Sequence, residues 1–309
     1  MENFALEIDA AGIAAVTFDM PGRSMNTISH SVQDDLGTLA ATIRDDQRIV
    51  GAILRSGKDS GFCAGADLGE LRDDIDRWAA AASQDELRAA LAEASHFSRR
   101  IRDLETTGKP LVAVINGVAL GGGLELALGC HHRIAIDDGK LRLGLPEATL
   151  GLMPGAGGTQ RLLRLAGLME TLPYLLDGGP IELAEALRLR LVHESVEAAQ
   201  AMDRARQWIL ESADAIAPWD VKGFRLPGGG PHTSAAYALF GPAIAARRGM
   251  ETPGDADGNI LKTVYEGAQV PIDAGLRIES RYFLNTLRTP SAAERVSGFL
   301  SRKSKAPAG

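Results

Sequence analysis

Short apolar runs alternate along the chain with segments in which apolar residues recur at helical spacing. Phe4, Leu6 and Ile8 alternate with polar or small residues, and an apolar run at 13–18 follows Ala11-Gly12, which predicts a β-hairpin. Further short runs predict buried strands at residues 49–54, 111–115, 133–136 and 191–196. Helices are predicted between them at residues 31–45, 86–104, 124–130, 159–167 and 182–189. This alternation favours an α/β fold.

The composition changes near Pro218. Residues 223–231 are rich in glycine and proline, which predicts a loop or linker, and two helices are predicted beyond it, at 260–270 and 271–287. One face of the second helix would carry Ala274, Ile278 and Phe283 or Leu284. We therefore predict a catalytic region over 1–215, a linker and helical appendage over 216–300, and a basic, disordered tail over 301–309.

Charge and composition narrow the class of protein. The net charge of -7 disfavours broad nucleic-acid binding, which usually needs a basic face. The longest apolar stretch, 111–129, is interrupted by Asn116, four glycines up to Gly123, and Glu125, so no membrane span is expected. No basic region followed by an apolar run stands at the N-terminus, and Cys63 and Cys130 fit reduced thiols, so we expect a cytoplasmic protein.

The first segment that suggests chemistry is 116–126, in which a predicted strand runs into three glycines and then a helix. Glycines allow a ligand to approach the backbone, and the first N–H groups of a helix have no internal acceptor, so they suit a developing negative charge. Glu125 lies three residues beyond Gly122, nearly one helical turn, so its carboxyl can face the same space. The alternative is a glycine-rich turn whose glutamate only complements the helix dipole.

Two further segments can also be explained by either a chemical or a structural role. Residues 61–68 could present another backbone N–H, or Asp67 could simply cap the next helix. In 144–161, Glu147 stands in apolar surroundings, which raise the pKa of a carboxyl and suit it to acid–base chemistry, although it could be structural. The glycine-rich loop 155–158 matches neither the dinucleotide fingerprint nor the phosphate-binding P-loop.

Taken together, residues 63–68, 116–126 and 146–161 resemble, in order, the motifs of the enoyl-CoA hydratase/isomerase (crotonase) family, and the resemblance covers 1–215. It implies a crotonase-like ββα superhelix, here with a C-terminal helical appendage. Three later segments look like the hydratase half and linker of multifunctional fatty-acid oxidation proteins, in which a dehydrogenase domain follows: 218–224, 264–267 and 275–283. No dinucleotide fingerprint follows residue 300, so the chain is either a piece of such a protein or a stand-alone relative.

The resemblance implies an enoyl-CoA hydratase that adds water to trans-2-enoyl-CoA in fatty-acid β-oxidation. The backbone N–H groups of Ala66 and Gly122 would form the oxyanion hole. Glu147 would donate a proton to the α-carbon, Glu125 would activate the water, and the Gly155 N–H would help to hold that water. The alternatives are an isomerase that converts cis-3-enoyl-CoA to trans-2-enoyl-CoA, and a non-catalytic module of a β-oxidation assembly.

Coenzyme A would be part of the substrate, and no separate cofactor or metal is implied. The contacts expected with coenzyme A come from Met25, Ala64, Asp67 and Leu68, and Arg23 and Lys58 are candidates for its phosphates. The adjacent pair His131-His132 is a poor metal site, because neighbouring residues on a strand point in opposite directions. A homotrimer or hexamer is expected by resemblance, or a monomer if residues 271–300 cover the catalytic region.

Overall fold

The computed structural model describes residues 1–212, 216–247 and 255–305, and within them two sheets are surrounded by helices. The strands are β1 Phe4–Ile8, β2 Ile13–Phe18, β3 Gly51–Ser56, β4 Gly61–Cys63, β5 Leu111–Ile115, β6 Val118–Leu120, β7 His132–Ile136, β8 Arg142–Gly144, β9 Pro180–Ile181 and β10 Glu194–Val196. The helices are α1 His30–Asp45, α2 Leu68–Ala79, α3 Gln84–Ala94, α4 His96–Glu105, α5 Gly122–Leu128, α6 Gly158–Ala166, α7 Leu168–Asp177, α8 Leu183–Arg188, α9 Ala198–Glu211, α10 Ser234–Arg247, α11 Ala256–Gly267, α12 Ile272–Leu287 and α13 Pro290–Lys305. Short 3₁₀ helices cover Pro146–Leu150 and Pro218–Asp220.

The larger sheet has the order β1-β2-β3-β5-β7-β10, and the smaller has the order β4-β6-β8-β9. Strands β3, β5 and β7 each continue into a strand of the smaller sheet and then into helical structure. This repeated ββα unit is the superhelix that the resemblance implies, and the predicted fold class is confirmed. Parallel strands buried on both faces explain the uninterrupted apolar run of β5, all of which is buried.

The appendage packs against the catalytic region. Helices α11 and α12 lie on α6, while α12 and α13 also reach α2. The contact with α6 is close. A Cβ on Gly267 would lie 2.2 Å from Gln160 Oε1, and a Cβ on Gly275 would lie 2.4 Å from the same atom. An apolar cluster that includes Ile75, Trp78, Leu284 and Leu287 fills the space between α2 and the last two helices.

Several predicted elements are confirmed. The hairpin pairs Phe4 with Phe18 and Ile8 with Ala14. Helices α1, α5, α6, α8 and α12 begin and end within two residues of their predicted bounds. The helix predicted at 86–104 is divided at Ser95, whose hydroxyl donates to Ala92 O, a local bond that competes with a continuous helix.

Three predictions are wrong in part. The last strand is only Glu194–Val196, because the N–H groups of Leu191 and Val192 close a turn onto Ala186 O instead of joining the sheet. The buried face of α12 is centred on Leu276 and Glu279, whereas Ala274 and Ile278 are only half-buried. Residues 301–305 continue helix α13, where a disordered tail was expected, and 306–309 and the boundary residues 213–215 lie outside the described residues.

A buried ion pair connects α4 to the N-terminal part of α6. The Arg161 guanidinium donates to both Glu105 carboxylate oxygens, at 2.9 and 3.0 Å, and the two side chains are 0% and 1% exposed. Arg161 also donates to Ala156 O at 3.1 Å, which holds the loop before α6. Because both charges are removed from water, each is stabilised by the opposite charge of the other.

Replacement of Glu105 by alanine is expected to lower the free energy of unfolding by about 3–5 kcal/mol, because Arg161 is left as an unpaired buried charge. Urea-induced unfolding measures the change. Arg88→Ala is the control, since Arg88 and its partner Asp85 are 74% and 91% exposed and an exposed pair adds little. Equal unfolding midpoints for the two variants would show that the buried pair does not stabilise the fold.

Candidate active site

Glu125 enters the centre of the molecule from the first turn of α5, immediately after strand β6. The turn passes through Gly121 at φ +50°, a conformation that L side chains rarely adopt. A Cβ on Gly121 would lie 2.7 Å from Glu147 Oε1, so the absence of a side chain lets the Glu147 carboxyl approach the backbone. A Cβ on Gly123 would lie 2.3 Å from Cys63 O, which shows how tightly α5 packs on β4.

The Glu125 carboxyl is held by the loop before α6. Its Oε1 accepts hydrogen bonds from Ala156 N at 2.8 Å and from Gly158 N at 2.7 Å, and the residue is 3% exposed. Burial raises the pKa of Glu125 above its ordinary value, while the two backbone hydrogen bonds act in the opposite direction. The carboxyl is therefore fixed in position by donors that favour its ionised form.

Glu147 stands on the 3₁₀ helix Pro146–Leu150, and its carboxyl is enclosed although the residue as a whole is half-buried. Its Oε2 is shielded from solvent and has no hydrogen-bond partner among the described residues. Burial, followed by the negative charge of Glu125, raises the pKa of Glu147 well above its ordinary value. The two predicted carboxyls thus belong to one site, and Glu147 is the one that more readily keeps its proton.

The two predicted backbone donors come from adjacent segments beside these carboxyls. The N–H of Gly122 is the first of helix α5 and has no acceptor inside the helix. In the bridge between Ile28 and Ala66, Ile28 N donates to Gly65 O and Asp67 N donates to Ile28 O, so the N–H of Ala66 points away from this pairing. A Cβ on Gly65 would lie 3.6 Å from Gly122 N, which shows that the two segments adjoin.

Gly155 lies on the same loop as the donors to Glu125 and is buried. Its space for a side chain is occupied by the ring of Phe283 from α12, 2.5 Å from where a Cβ would stand. The loop is therefore enclosed on one side by the appendage, and its predicted role in holding a water remains a prediction.

The residues predicted to contact coenzyme A line the segment before α2. Ala64 is exposed, Met25 and Leu68 are half-buried, and Ser60 Oγ lies 3.6 Å from Met25 Sδ. The Asp67 side chain caps α2 by accepting from Gly69 N at 3.0 Å, so only its backbone remains for the predicted contact.

The two candidate cations differ. Lys58 is 15% exposed and donates to Met20 O at 2.8 Å, while it also pairs with Asp19, so its position disfavours a role with phosphates. Arg23 is 60% exposed and 3.4 Å from Asp67 Oδ2, which leaves it the better candidate.

The histidine pair has a structural explanation. The His132 ring stacks on His193 and Trp208, and its Nε2 lies 3.0 Å from Glu194 Oε1. His131 Nδ1 accepts from Leu111 N. The His132 ring therefore packs beside β7 and β10, and the His131 ring is bonded to the start of β5. Among the described helices, none is both long enough and apolar enough to cross a membrane.

Sequence analysis missed one residue of the site, Glu279 on α12. It is fully buried, and its carboxylate accepts from Gly157 N at 2.5 Å and from Thr159 N at 3.0 Å. The face predicted for this helix, with Ala274, Ile278 and Phe283 or Leu284, left Glu279 out. The available signal was its place one turn after Gly275 and Leu276, a small and an apolar position, where a glutamate interrupts an otherwise buried face.

The sequence of this chain is similar to sequences of known proteins. A family model described as enoyl-CoA hydratase/isomerase matches residues 9–219. The fatty acid oxidation complex subunit alpha of Idiomarina loihiensis is 36% identical over 296 residues, which are 94% of this chain and 39% of that protein. The chain thus spans about two fifths of the length of this relative.

Solved structures show the same architecture. An enoyl-CoA hydratase from Bacillus anthracis is 27% identical with a TM-score of 0.58, covering 98% of this chain and 96% of that one. A carnitinyl-CoA dehydratase from Mycobacterium thermoresistibile, 20% identical, shares the fold with a TM-score of 0.71 and coverage of 97% and 90%. Since the family model spans most of the chain and includes all three converging segments, this protein belongs to the enoyl-CoA hydratase/isomerase family.

Proposed function

We propose that the protein is an enoyl-CoA hydratase of fatty-acid β-oxidation, which adds water across the double bond of trans-2-enoyl-CoA. The observation that carries the proposal is the enclosure of two carboxyls, Glu125 and Glu147, beside two backbone N–H groups. The names of the relatives, a fatty acid oxidation complex subunit and an enoyl-CoA hydratase, support the same reaction.

The amides of Ala66 and Gly122 would bind the thioester oxygen. When water attacks the β-carbon, the electron pair of the double bond moves toward the carbonyl, and the oxygen gains the charge of an enolate. Preorganised donors stabilise that charge more than the neutral substrate, and one such donor is worth about 3 kcal/mol in the transition state. Main-chain donors explain why glycine and alanine occupy these positions.

Two proton transfers complete the addition. Glu125 takes a proton from the water as its oxygen bonds to the β-carbon, and Glu147 gives a proton to the α-carbon as the enolate collapses. The product gains one hydrogen and one hydroxyl group. Glu125 is left protonated and Glu147 ionised, so one proton must pass from the first to the second, directly or through solvent, before the next turnover.

The electrostatics support this division of roles. The pKa of Glu147 is raised by burial and by the charge of Glu125, so Glu147 holds its proton while Glu125 is ionised. Glu125 accepts two backbone hydrogen bonds, which oppose protonation. When two carboxyls share an enclosed site, the charge of one raises the pKa of the other, so their pKa values differ. The carboxyl with the higher pKa can then act as the acid and the other as the base.

Coenzyme A would serve as the handle of the substrate. Residues 64–68 include the amide of Ala66, and Met25 lies in a neighbouring segment. A thioester whose oxygen is bound by that amide would therefore extend past these residues. We propose Arg23 as the cation for its phosphates, since Arg23 is exposed at this segment.

The wild-type protein is expected to remove the absorbance of the conjugated double bond of crotonyl-CoA, with formation of 3-hydroxybutyryl-CoA. Chain length is tested with medium and long trans-2-enoyl-CoA substrates. Conversion of a cis-3-enoyl-CoA without hydration would replace the proposal by an isomerase. No reaction with any of these substrates would favour a non-catalytic module.

Glu125→Gln and Glu147→Gln are each expected to lower kcat for hydration by at least about 100-fold, since each removes one side of the acid–base pair. The matched control is Glu211→Gln on helix α9, an exposed glutamate outside the site, which should retain the wild-type rate. A near-native rate in either site variant would refute the role assigned to that residue.

The pH profile of kcat/KM is expected to be bell-shaped. Activity falls as the pH drops through the pKa of Glu125, because the base becomes protonated, and this pKa lies above the ordinary value of 4.5. Activity also falls as the pH rises through the pKa of Glu147, because the acid loses its proton.

In Glu125→Gln the alkaline limb of the residual activity should move to lower pH, because the charge that raises the pKa of Glu147 is gone. The charge of Glu279 also raises the pKa of Glu147, and Glu279 is unchanged in this variant. An alkaline limb that stays in place would contradict the assignment of Glu147 as the acid.

A further inference from the structure

The appendage helix α12 places a third carboxyl at the site, in a position that the mechanism above does not use. Glu279 Oε1 accepts from Gly157 N at 2.5 Å. Its Oε2 accepts from Thr159 N at 3.0 Å and also from the Thr159 hydroxyl. The side chain is fully buried. Glu279 thus contacts Gly157 and Thr159 of the catalytic region, which lie more than 100 residues earlier in the chain.

The loop that Glu279 holds is the loop that holds Glu125. Four successive N–H groups alternate between the two carboxyls: those of Ala156 and Gly158 donate to Glu125 Oε1, and those of Gly157 and Thr159 donate to Glu279. A shift of this segment toward or away from α12 would therefore lengthen or bend the hydrogen bonds to Glu125.

An ordinary anchoring role explains these contacts less well. Glu279 makes no ion pair within the described ranges, and the nearby Arg161 is already bound at both ends of its fork by Glu105. Arg161 therefore acts on Glu279 only through space. Burial of a carboxyl that has no directly paired cation is costly, whereas an apolar side chain would attach a helix at lower cost. Burial, followed by the charge of Glu125, raises the pKa of Glu279 to about 8. The Glu279 carboxyl instead accepts hydrogen bonds from three donors of the segment 157–159: Gly157 N, Thr159 N and the Thr159 hydroxyl.

We propose that Glu279 is a positioning residue for hydration, which acts through the loop 156–159 to hold the Glu125 carboxyl in its reactive orientation. The appendage thereby completes the active site of the catalytic region. The inference rests on the proposed function of Glu125 as the water-activating group.

The first test is the kinetics of Glu279→Gln. Glutamine keeps the size of the side chain but replaces one acceptor oxygen by an NH₂ group, which cannot accept from the loop. We expect kcat to fall by about 10- to 100-fold, since a misplacement near 1 Å can cost about 100-fold. KM for crotonyl-CoA should stay within about threefold, because the amides of Ala66 and Gly122 are untouched.

The matched control is Ser280→Ala. Ser280 is the next residue on α12 and is also buried, but its hydroxyl donates to Leu276 O inside the helix and does not reach the loop. This variant should keep the wild-type kcat. A similar loss of kcat in both variants would assign the effect to general disturbance of α12 and would overturn the proposal.

The decisive readout is a double-mutant cycle with Glu125→Gln. If Glu279 acts through Glu125, then Glu279→Gln added to Glu125→Gln should lower the residual rate by less than about threefold. A loss that multiplies in full on that background would show that Glu279 acts independently of Glu125. A kcat of Glu279→Gln within twofold of wild type would also overturn the proposal.

Thr159→Val keeps the test available if Glu279→Gln fails to fold. It removes the hydroxyl that donates to Glu279 and leaves the N–H groups that bind Glu125. A smaller loss of kcat is expected, with the same lack of additivity toward Glu125→Gln. Full additivity, or an unchanged kcat, would count against the proposal.

Failure of this inference is distinguishable from failure of the proposed function. The wild-type protein is assayed first with trans-2-enoyl-CoA and cis-3-enoyl-CoA. If it only isomerises, the hydratase proposal fails, and the same variants are compared on isomerisation, where a kcat loss that vanishes in Glu125→Gln still supports positioning. If wild type hydrates and Glu279→Gln does so equally well, only the positioning role fails.

Discussion

The fold and the site both rest on one requirement: the four buried N–H groups that precede and begin helix α6 must each have an acceptor within the protein. Unsatisfied buried donors cost about 1–3 kcal/mol each. Here they are satisfied by two carboxyls that arrive from opposite sides, Glu125 from α5 and Glu279 from α12. The donors lie at the positive end of a helix, which further favours the negative charges.

This arrangement explains the glycines around the site. A Cβ on Gly158 would lie 2.8 Å from Glu125 Oε1, and one on Gly121 would lie 2.7 Å from Glu147 Oε1. Side chains there would push the carboxyls away from the backbone groups on which the proposed chemistry depends. The buried Arg161–Glu105 pair stabilises the same loop through Ala156 O. The packing of α4, α6 and α12 therefore fixes the geometry of the site.

The local parts of this arrangement were predictable from sequence. Strand, glycines and helix follow one another within 111–128, so the amide of Gly122 and the carboxyl of Glu125 are fixed by local geometry. Glu147 was identified through family motifs, and the structure brings it against Gly121. The roles of these residues in catalysis remain predictions.

Glu279 was not predictable in the same way. Helical periodicity places charged residues toward solvent, and the rule fails where a charge finds its donors in a segment about 120 residues earlier. The division of the helix at Ser95 had a different, local cause, since the competing hydrogen bond to Ala92 O is a property of one hydroxyl rather than of the apolar pattern. Long-range polar contacts require the fold before they can be recognised.

In the proposed reaction, an acid of the protein delivers a proton to the α-carbon while a base activates water for the β-carbon. The most direct measurement is the NMR spectrum of the product formed from crotonyl-CoA in D₂O by the wild-type protein. We expect one deuteron at the α-carbon, in a single stereochemical position, and a hydroxyl group at the β-carbon. Deuterium at the γ-carbon without a hydroxyl group, or a product with deuterium in both α-positions at random, would contradict it.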